Sequence, residues 1–430
     1  MLILVGVTIN FAINGGLFNR AKEAVDRTKN AMEEEQALIN EILDGTMNNS
    51  NGNNGTPDEI ANAPELKPGM IPVYYDAGEQ VWKKADETNT DNNWYNYGYG
   101  TNENKKWANV VLVSNAVNSI HGYRTAEIGT EIPMKDIEAF FVWIPRYAYS
   151  ITDGYKTENS ETVTETNSRT PKIDVTFVEG TTNRDSNGIT YETDYNAESI
   201  PAGGKTPKIV HPGFTFGTQE LTGLWMGKFE ISGKTSFGEY VGNGTHGVNA
   251  QENAPDGTTH IQIKPGATSW RYIKIGDLQY RSSGMSNDTA NYGLTNTTVD
   301  THLIKNSEWG AAAYLSYSKY GQVPQINGAG KLGTPGHLYD LTTGAGPVAN
   351  GDETRYETYT EGTHGYNTTL GKLASTTGNV YGIYDMSGGA WEYTAGYLDN
   401  GHAYIDTYGN GGTTYFTGRS ARRSIYKILG

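Results

Sequence analysis

An α+β fold, with a long N-terminal helix ahead of a loop-rich domain of short strands and few helices, is what the order of residues in this chain predicts. Three observations carry that expectation. Residues 17–43 repeat small and apolar side chains mostly every three or four positions. After residue 70 the apolar residues fall into short runs separated by turn residues. The 54 Gly among 430 residues call for many tight turns rather than a helix bundle.

The chain begins with MLILVGVTINFAI, which is almost wholly apolar. That run is shorter than the roughly 20 apolar residues a spanning helix needs. Only Met1 stands ahead of it, where a secretory signal carries basic residues. From Leu17 the pattern turns amphipathic. Leu17, Ala21, Ala24, Thr28, Ala31, Leu38 and Ile42 are interleaved with Arg20, Lys22, Glu23, Arg27, Lys29 and Glu33, and Asp44-Gly45 supplies a stop. LILVGVTIN running into LFNRAKEAVDRTKNAMEEEQALINEIL resembles the N-terminal stalks of type IV pilin-like surface proteins from Gram-positive anaerobes. In that family further apolar residues and a basic, peptidase-cleaved leader precede the position where this sequence starts. The resemblance implies self-association through residues 1–45, a filament or cell-surface location outside the cell, and association with a membrane before assembly. The plainer reading of the same residues is an amphipathic helix packed on its own domain. Residues 46–69, TMNNSNGNNGTPDEIANAPELKPG, have no hydrophobic period and cannot offset their ordering entropy by burial, so a flexible linker is expected there.

Composition narrows the partners. A net charge of −15 argues against nucleic acid or anionic lipid, both of which need a basic footprint. With no cysteine, the chain has neither disulfide staples nor a thiolate nucleophile. Thirty Tyr against ten Phe favour wet binding faces, because Tyr joins a large apolar ring to a polar tip.

Strands are expected at Ile71 to Tyr75, Ala108 to Val113, Ala139 to Tyr149, Ile173 to Val178 and Leu224 to Ile231. A turn of helix over Ile137 to Phe141 is expected before one of them. Thr301 to Tyr320 reads as a helix, with Leu303, Trp309, Ala312, Ala313 and Leu315 at helical spacing. Residues 157–170, 232–256 and 324–369 read as long surface loops.

Four segments then follow one another in a telling order: FVWIPRYAY (141–149), HPGFTFGTQELTGLWMGKFEIS (211–232), HLIKNSEWGAAAYL (302–315) and GIYDMSGGAWEY (382–393). This succession resembles the formylglycine-generating-enzyme, or sulfatase-modifying-factor, family, a branch of the C-type-lectin-like fold. The likeness implies a C-type-lectin-like head over residues 70–430, with its core motifs at 138–393. It gives structural roles to Trp143, Trp225, Glu308, Trp309, Gly388, Gly389, Trp391 and Glu392. The Gly388-Gly389 pair would let the chain reverse ahead of Ala390. Glu392 reads as an acceptor for buried loop N–H groups or as a catalytic acid. The chain departs from the family in having Gly389 for its Asn and Tyr393 for its final Trp, and in ending without its "G-F-R" strand. The family's enzymes oxidise a substrate cysteine with cysteines of their own and copper; a chain with none has no thiolate for that step. No catalytic residue is therefore assigned.

Other chemistry is thin. His121, His211, His246, His260, His302, His337, His364 and His402 show no zinc spacing and read as surface or loop histidines. No cofactor is expected, apart from loop-bound calcium, for which Asp385, Asp399, Asn400 and Asp406 offer oxygen ligands. Asn327-Gly328-Ala329-Gly330-Lys331 lacks the spacing of a phosphate loop and reads as a turn. In lectin-like proteins the stretch after the signature forms the ligand face. This makes Tyr393, Tyr397, Asp399, Asn400, His402, Tyr404, Tyr408, Asn410 and Tyr415 the candidate ligand-binding residues; a polar loop is the plainer reading. The function expected is a non-catalytic, pilin-like surface or filament subunit that displays an adhesin-type head to a glycan or protein ligand. An enzyme of non-thiol chemistry on the same fold, and a purely structural filament protein, are the alternatives.

Overall fold

Continuous runs of apolar residues build the centre of the main sheet, where both faces are covered. The computed structural model describes residues 60–98, 105–153, 172–193, 208–234, 240–241, 260–267, 275–321, 365–372, 375–386, 393–397 and 423–427. The expected stalk, the first part of the expected linker and most of the expected ligand face lie outside them.

In chain order the strands are β1 (Ile71–Asp76), β2 (Val81–Lys84), β3 (Asn109–Val113), β4 (Ile137–Pro145), β5 (Tyr147–Asp153), β6 (Lys172–Phe177), β7 (Ile209–Val210), β8 (Thr215–Phe216), β9 (Gln219–Glu220), β10 (Gly223–Gly227), β11 (Ser232–Lys234), β12 (Tyr240–Val241), β13 (His260–Gln262), β14 (Tyr393–Tyr397) and β15 (Arg423–Lys427). The helices are α1 (Asn115–His121), α2 (Ile275–Gly284), α3 (Thr289–Tyr292), α4 (Asn306–Ser316) and α5 (Thr369–Lys372). The fold is thus mixed α+β, with short strands in several open sheets and a few short helices.

The largest sheet has the order β10-β4-β3-β1-β2, with every neighbour antiparallel. β3, NVVLV, is buried at all its positions. One core packs Ile71, Val73, Val111, Phe140, Phe229 and Tyr384 together; a second gathers Val110, Val142, Trp143, Tyr147, Phe177 and the α4 residues Ala311, Ala312 and Leu315. The remaining strands form smaller sheets, β6-β5-β7, β12-β11-β13, β8-β9 and β14-β15.

Several boundaries differ from the sequence reading, each for a local reason. The helical turn expected over 137–141 lies just upstream, at Met134–Asp136, and β4 begins at Ile137. The expected strand over 139–149 is two strands divided at Arg146, where the chain passes from one sheet to the next: Arg146 N–H donates to Thr222 O beside β10, and its carbonyl accepts from Val178 N–H just after β6. The run 224–231 leaves the sheet after Gly227, because Ile263 takes the next place along β4, accepting from Phe140 N–H and donating to Glu138 O. The polar stretch 232–256 is not all loop, since β11 and β12 lie within it.

Residues 60–69, the end of the expected linker, are held against the head. Asn62 Nδ2 donates to the carbonyls of Gly180 and Thr222 at 2.9 and 2.8 Å, and Gly180 N–H donates back to Asn62 Oδ1 at 2.8 Å. Leu66 packs on the second core. Specific side-chain hydrogen bonds supply what hydrophobic periodicity could not reveal. Among the described residues no helix is long and apolar enough to cross a membrane.

Candidate functional site

The site grows from a pair of tryptophans. Trp143 on β4 and Trp225 on β10 are direct cross-strand partners, and their rings lie 5.2 Å apart at 57°. Such pairs stabilise a sheet beyond simple area burial. Gly223 makes the packing feasible, because a Cβ there would come within 2.4 Å of the Trp143 ring. Both indole N–H groups donate to the segment that crosses them: Trp143 to Asn62 O at 3.1 Å and Trp225 to Glu65 O at 2.9 Å. Thr222 Oγ1 donates to the Glu65 carboxylate and lowers its pKa.

Beneath this wall, Arg146 fixes the loops. Its guanidinium donates to Thr182 O, Phe214 O and Asn183 Oδ1, and pairs with Glu220 at 2.6 Å. An arginine wholly out of water needs such saturation of its donors. Arg146 thereby sets the position of β8 and β9, which carry Phe216 and Glu220.

β10, β8, β9 and the start of α4 enclose a cleft of about 1380 Å³. Trp225, Met226, Phe216 and Trp309 give it apolar walls; Glu65, Glu220, Glu230, Asp300 and Glu308 bring carboxylates, and Lys67 and His302 the basic groups. At one end Glu308 sits in the first turn of α4 and reaches back to accept from Lys305 N–H at 2.8 Å. That bond satisfies an orphan donor and puts negative charge at the positive end of the helix. The same carboxylate takes Lys305 Nζ at 2.7 Å and His302 Nε2 at 3.1 Å, while His302 Nδ1 meets Asp300 at 2.8 Å. Burial opposes the charge on both His302 and Glu308, but the hydrogen bonds and opposite charges outweigh it. His302 is lifted to about 9 and Glu308 is lowered to about 2. At neutral pH this is an imidazolium between two carboxylates. The Phe216 ring completes the cluster, with Lys305 Nζ 3.8 Å from its centroid and the His302 ring 5.4 Å away.

Two further groups support the site. Lys228 Nζ is fully buried, donates to Val380 O at 2.6 Å and Gly382 O at 2.8 Å, and lies 5.3 Å from the Trp82 ring and 5.4 Å from that of Tyr384. Burial drives its pKa far down. It ties residues 380–384 to β10's end. His211, among Tyr147, Tyr149, Phe214 and Tyr314, is lowered to about 3 by burial, and its Nδ1 accepts from Gly213 N–H.

Of the residues given structural roles from sequence, Trp143, Trp225, Glu308 and Trp309 all meet at this cleft. Gly388, Gly389, Trp391 and Glu392 lie outside the described residues. So do Asp399, Asn400, His402, Tyr404, Tyr408, Asn410 and Tyr415 of the expected ligand face. Tyr393 and Tyr397 are the two ends of β14, paired with Lys427 and Arg423 of β15. Among the calcium candidates Asp385 is described: it is buried at a φ of 60° and accepts from Glu230 N–H at 3.3 Å. Among the described residues no three of His, Asp and Glu form a group that could hold a metal. His302, read from sequence as an ordinary surface or loop histidine, is the residue that sequence reasoning missed. The available signal was its place between Asp300 and the helix-start Glu308.

No protein-family model, no curated protein and no solved structure matches this chain.

Proposed function

We propose that the chain is a non-catalytic, pilin-like display protein whose head binds a ligand in the cleft beside β10, with residues 1–45 as the self-associating stalk. The cleft carries this reading. At about 1380 Å³ it exceeds the roughly 300–1,000 Å³ of ordinary small-molecule pockets, and it combines aromatic walls with charged rims. Its ionisable groups support binding over catalysis. Both nitrogens of His302 are engaged by carboxylates, and Glu308 holds two cations and a backbone N–H, so neither is poised to exchange a proton with a substrate at neutral pH. On this reading a glycan or protein ligand reaches an extracellular, surface-borne head. Calcium belongs to the proposal only through the 385–406 oxygen set.

Two measurements test it. Screening the full chain against immobilised glycans and surface proteins should yield a ligand whose affinity falls about tenfold or more when Trp309 and Phe216 are replaced by Ala. Removing residues 1–45 should turn a self-associating protein into a monomer in detergent-free buffer without loss of that binding. Binding indifferent to the cleft substitutions would defeat the reading of the head; equal association of both forms would defeat that of the stalk.

A further inference from the structure

The two edges of the main sheet are treated differently. Along β2 the edge is sealed: Lys84 N–H donates to Thr130 O at 2.8 Å, Gly129 N–H to Lys84 O at 2.8 Å and Ile132 N–H to Trp82 O at 2.9 Å. Sealing of this kind is how natural sheets avoid adventitious pairing.

Among the described residues the β10 edge is open. Alternate residues of an antiparallel strand turn their N–H and C=O groups to opposite sides. Arg146 N–H donates to Thr222 O and Lys228 N–H to Phe140 O, so the even-numbered residues of this stretch bond inward to β4. Trp143, opposite Trp225, instead sends its N–H to Ala108 O and takes Tyr97 Oη on its carbonyl, away from β10. The N–H and C=O of Gly223, Trp225 and Gly227 therefore point outward, and among the described residues no main-chain or side-chain group bonds to them. Every residue of β10 lines the cleft. Beyond Gly227 the same side of β4 is taken by Ile263, which exchanges bonds with Glu138 and Phe140. The open stretch is thus five residues long, about 17 Å of strand.

We infer that an extended polypeptide segment bearing basic side chains binds here by adding a strand to the outer edge of β10. This rests on the cleft being the ligand site. The ladder would supply affinity that is indifferent to side chains, and alternate side chains would meet the cleft walls. Charge selects the occupant. Five carboxylates line the cleft with Lys67 and His302, and Arg146 and Lys305 pair with Glu220 and Glu308, which leaves one negative charge in excess there in a chain of net charge −15. A second copy would bring the same acidic rims together, whereas lysine and arginine side chains would find carboxylates and the faces of Trp225, Phe216 and Trp309.

The test is selection of random dodecapeptides on phage against the full chain. Expected are enriched sequences with basic residues at alternate positions. N-methylating the alternate amides of an enriched peptide that face the strand should weaken binding about tenfold or more, and methylating the other set should not. Gly227→Pro, which deletes an outward N–H on an edge strand, should weaken it similarly. Absence of enriched peptides, acidic or neutral ones, or equal tolerance of both methylation sets on the unaltered protein would overturn the inference. Enrichment of sequences like GLWMG would make a second copy the occupant and overturn it as well. A glycan that binds with sensitivity to Trp309→Ala, alongside failed peptide selection, would sink the strand addition yet leave the binding head standing.

Discussion

At Lys228 an amine-bearing chain closes the core instead of a hydrocarbon. Its Nζ bonds two alternate loop carbonyls, of Val380 and Gly382, across aromatic rings, so it acts as a clasp for residues 380–384. Lys228→Met keeps the volume and strands both carbonyls, and should cost about 1–3 kcal/mol in urea denaturation, since unmet buried acceptors cost about that much. Two histidines give the head opposed pH responses. His302 has a folded pKa raised to about 9, so its contribution is complete below about 6.5 and is lost as pH rises through 9. His211 has a folded pKa lowered to about 3, so stability falls as pH drops below about 6.5 toward 3. Melting temperature against pH should therefore decline on both sides. His302→Gln should flatten the alkaline limb and His211→Asn the acid one. If His302→Gln left the alkaline limb unchanged, the imidazolium would not be the group responsible.

At the scale of elements, β10 depends on glycine for close approach. Gly223→Ala sets a methyl group against the Trp143 ring and Ile144 O, and should destabilise by about 1–3 kcal/mol with loss of the tryptophan pair's near-ultraviolet dichroism. Elements were legible in the sequence wherever burial is two-sided or helical. NVVLV and AFFVWIP read as strands, and the spacing of Trp309, Ala312, Ala313 and Leu315 marked α4, which begins at Asn306 rather than at the expected Thr301 and leaves Leu303 ahead of it. Strand ends were not legible, because they are set by changes of backbone partner far along the chain: Arg146 passes from Thr222 to Val178, and beyond Gly227 β4 turns to Ile263. Of the cleft, Trp143, Trp225, Glu308 and Trp309 were visible as motif residues. The joining of His302 to Asp300 and Glu308 was not, since two residues of that trio precede the helix and carry no periodic signal.

For the whole molecule, the stretch 60–69 gives a sequence-distant brace between the start of the head and the strands that wall the cleft. Asn62→Ala deletes three of its hydrogen bonds, to Gly180 and Thr222. Faster amide exchange at residues 60–69 should follow, with β3 and β4 unaffected; slow exchange there in the variant would mean that Leu66 alone secures the stretch. That brace has a mechanical consequence. A pull transmitted along the backbone into residue 60 arrives first at the indoles of Trp143 and Trp225, through Asn62 and Glu65. A load entering at residue 60 would thus be felt at β4 and β10, the strands that wall the recess, before it reaches β1 and β2, and the shape of the recess becomes a function of load.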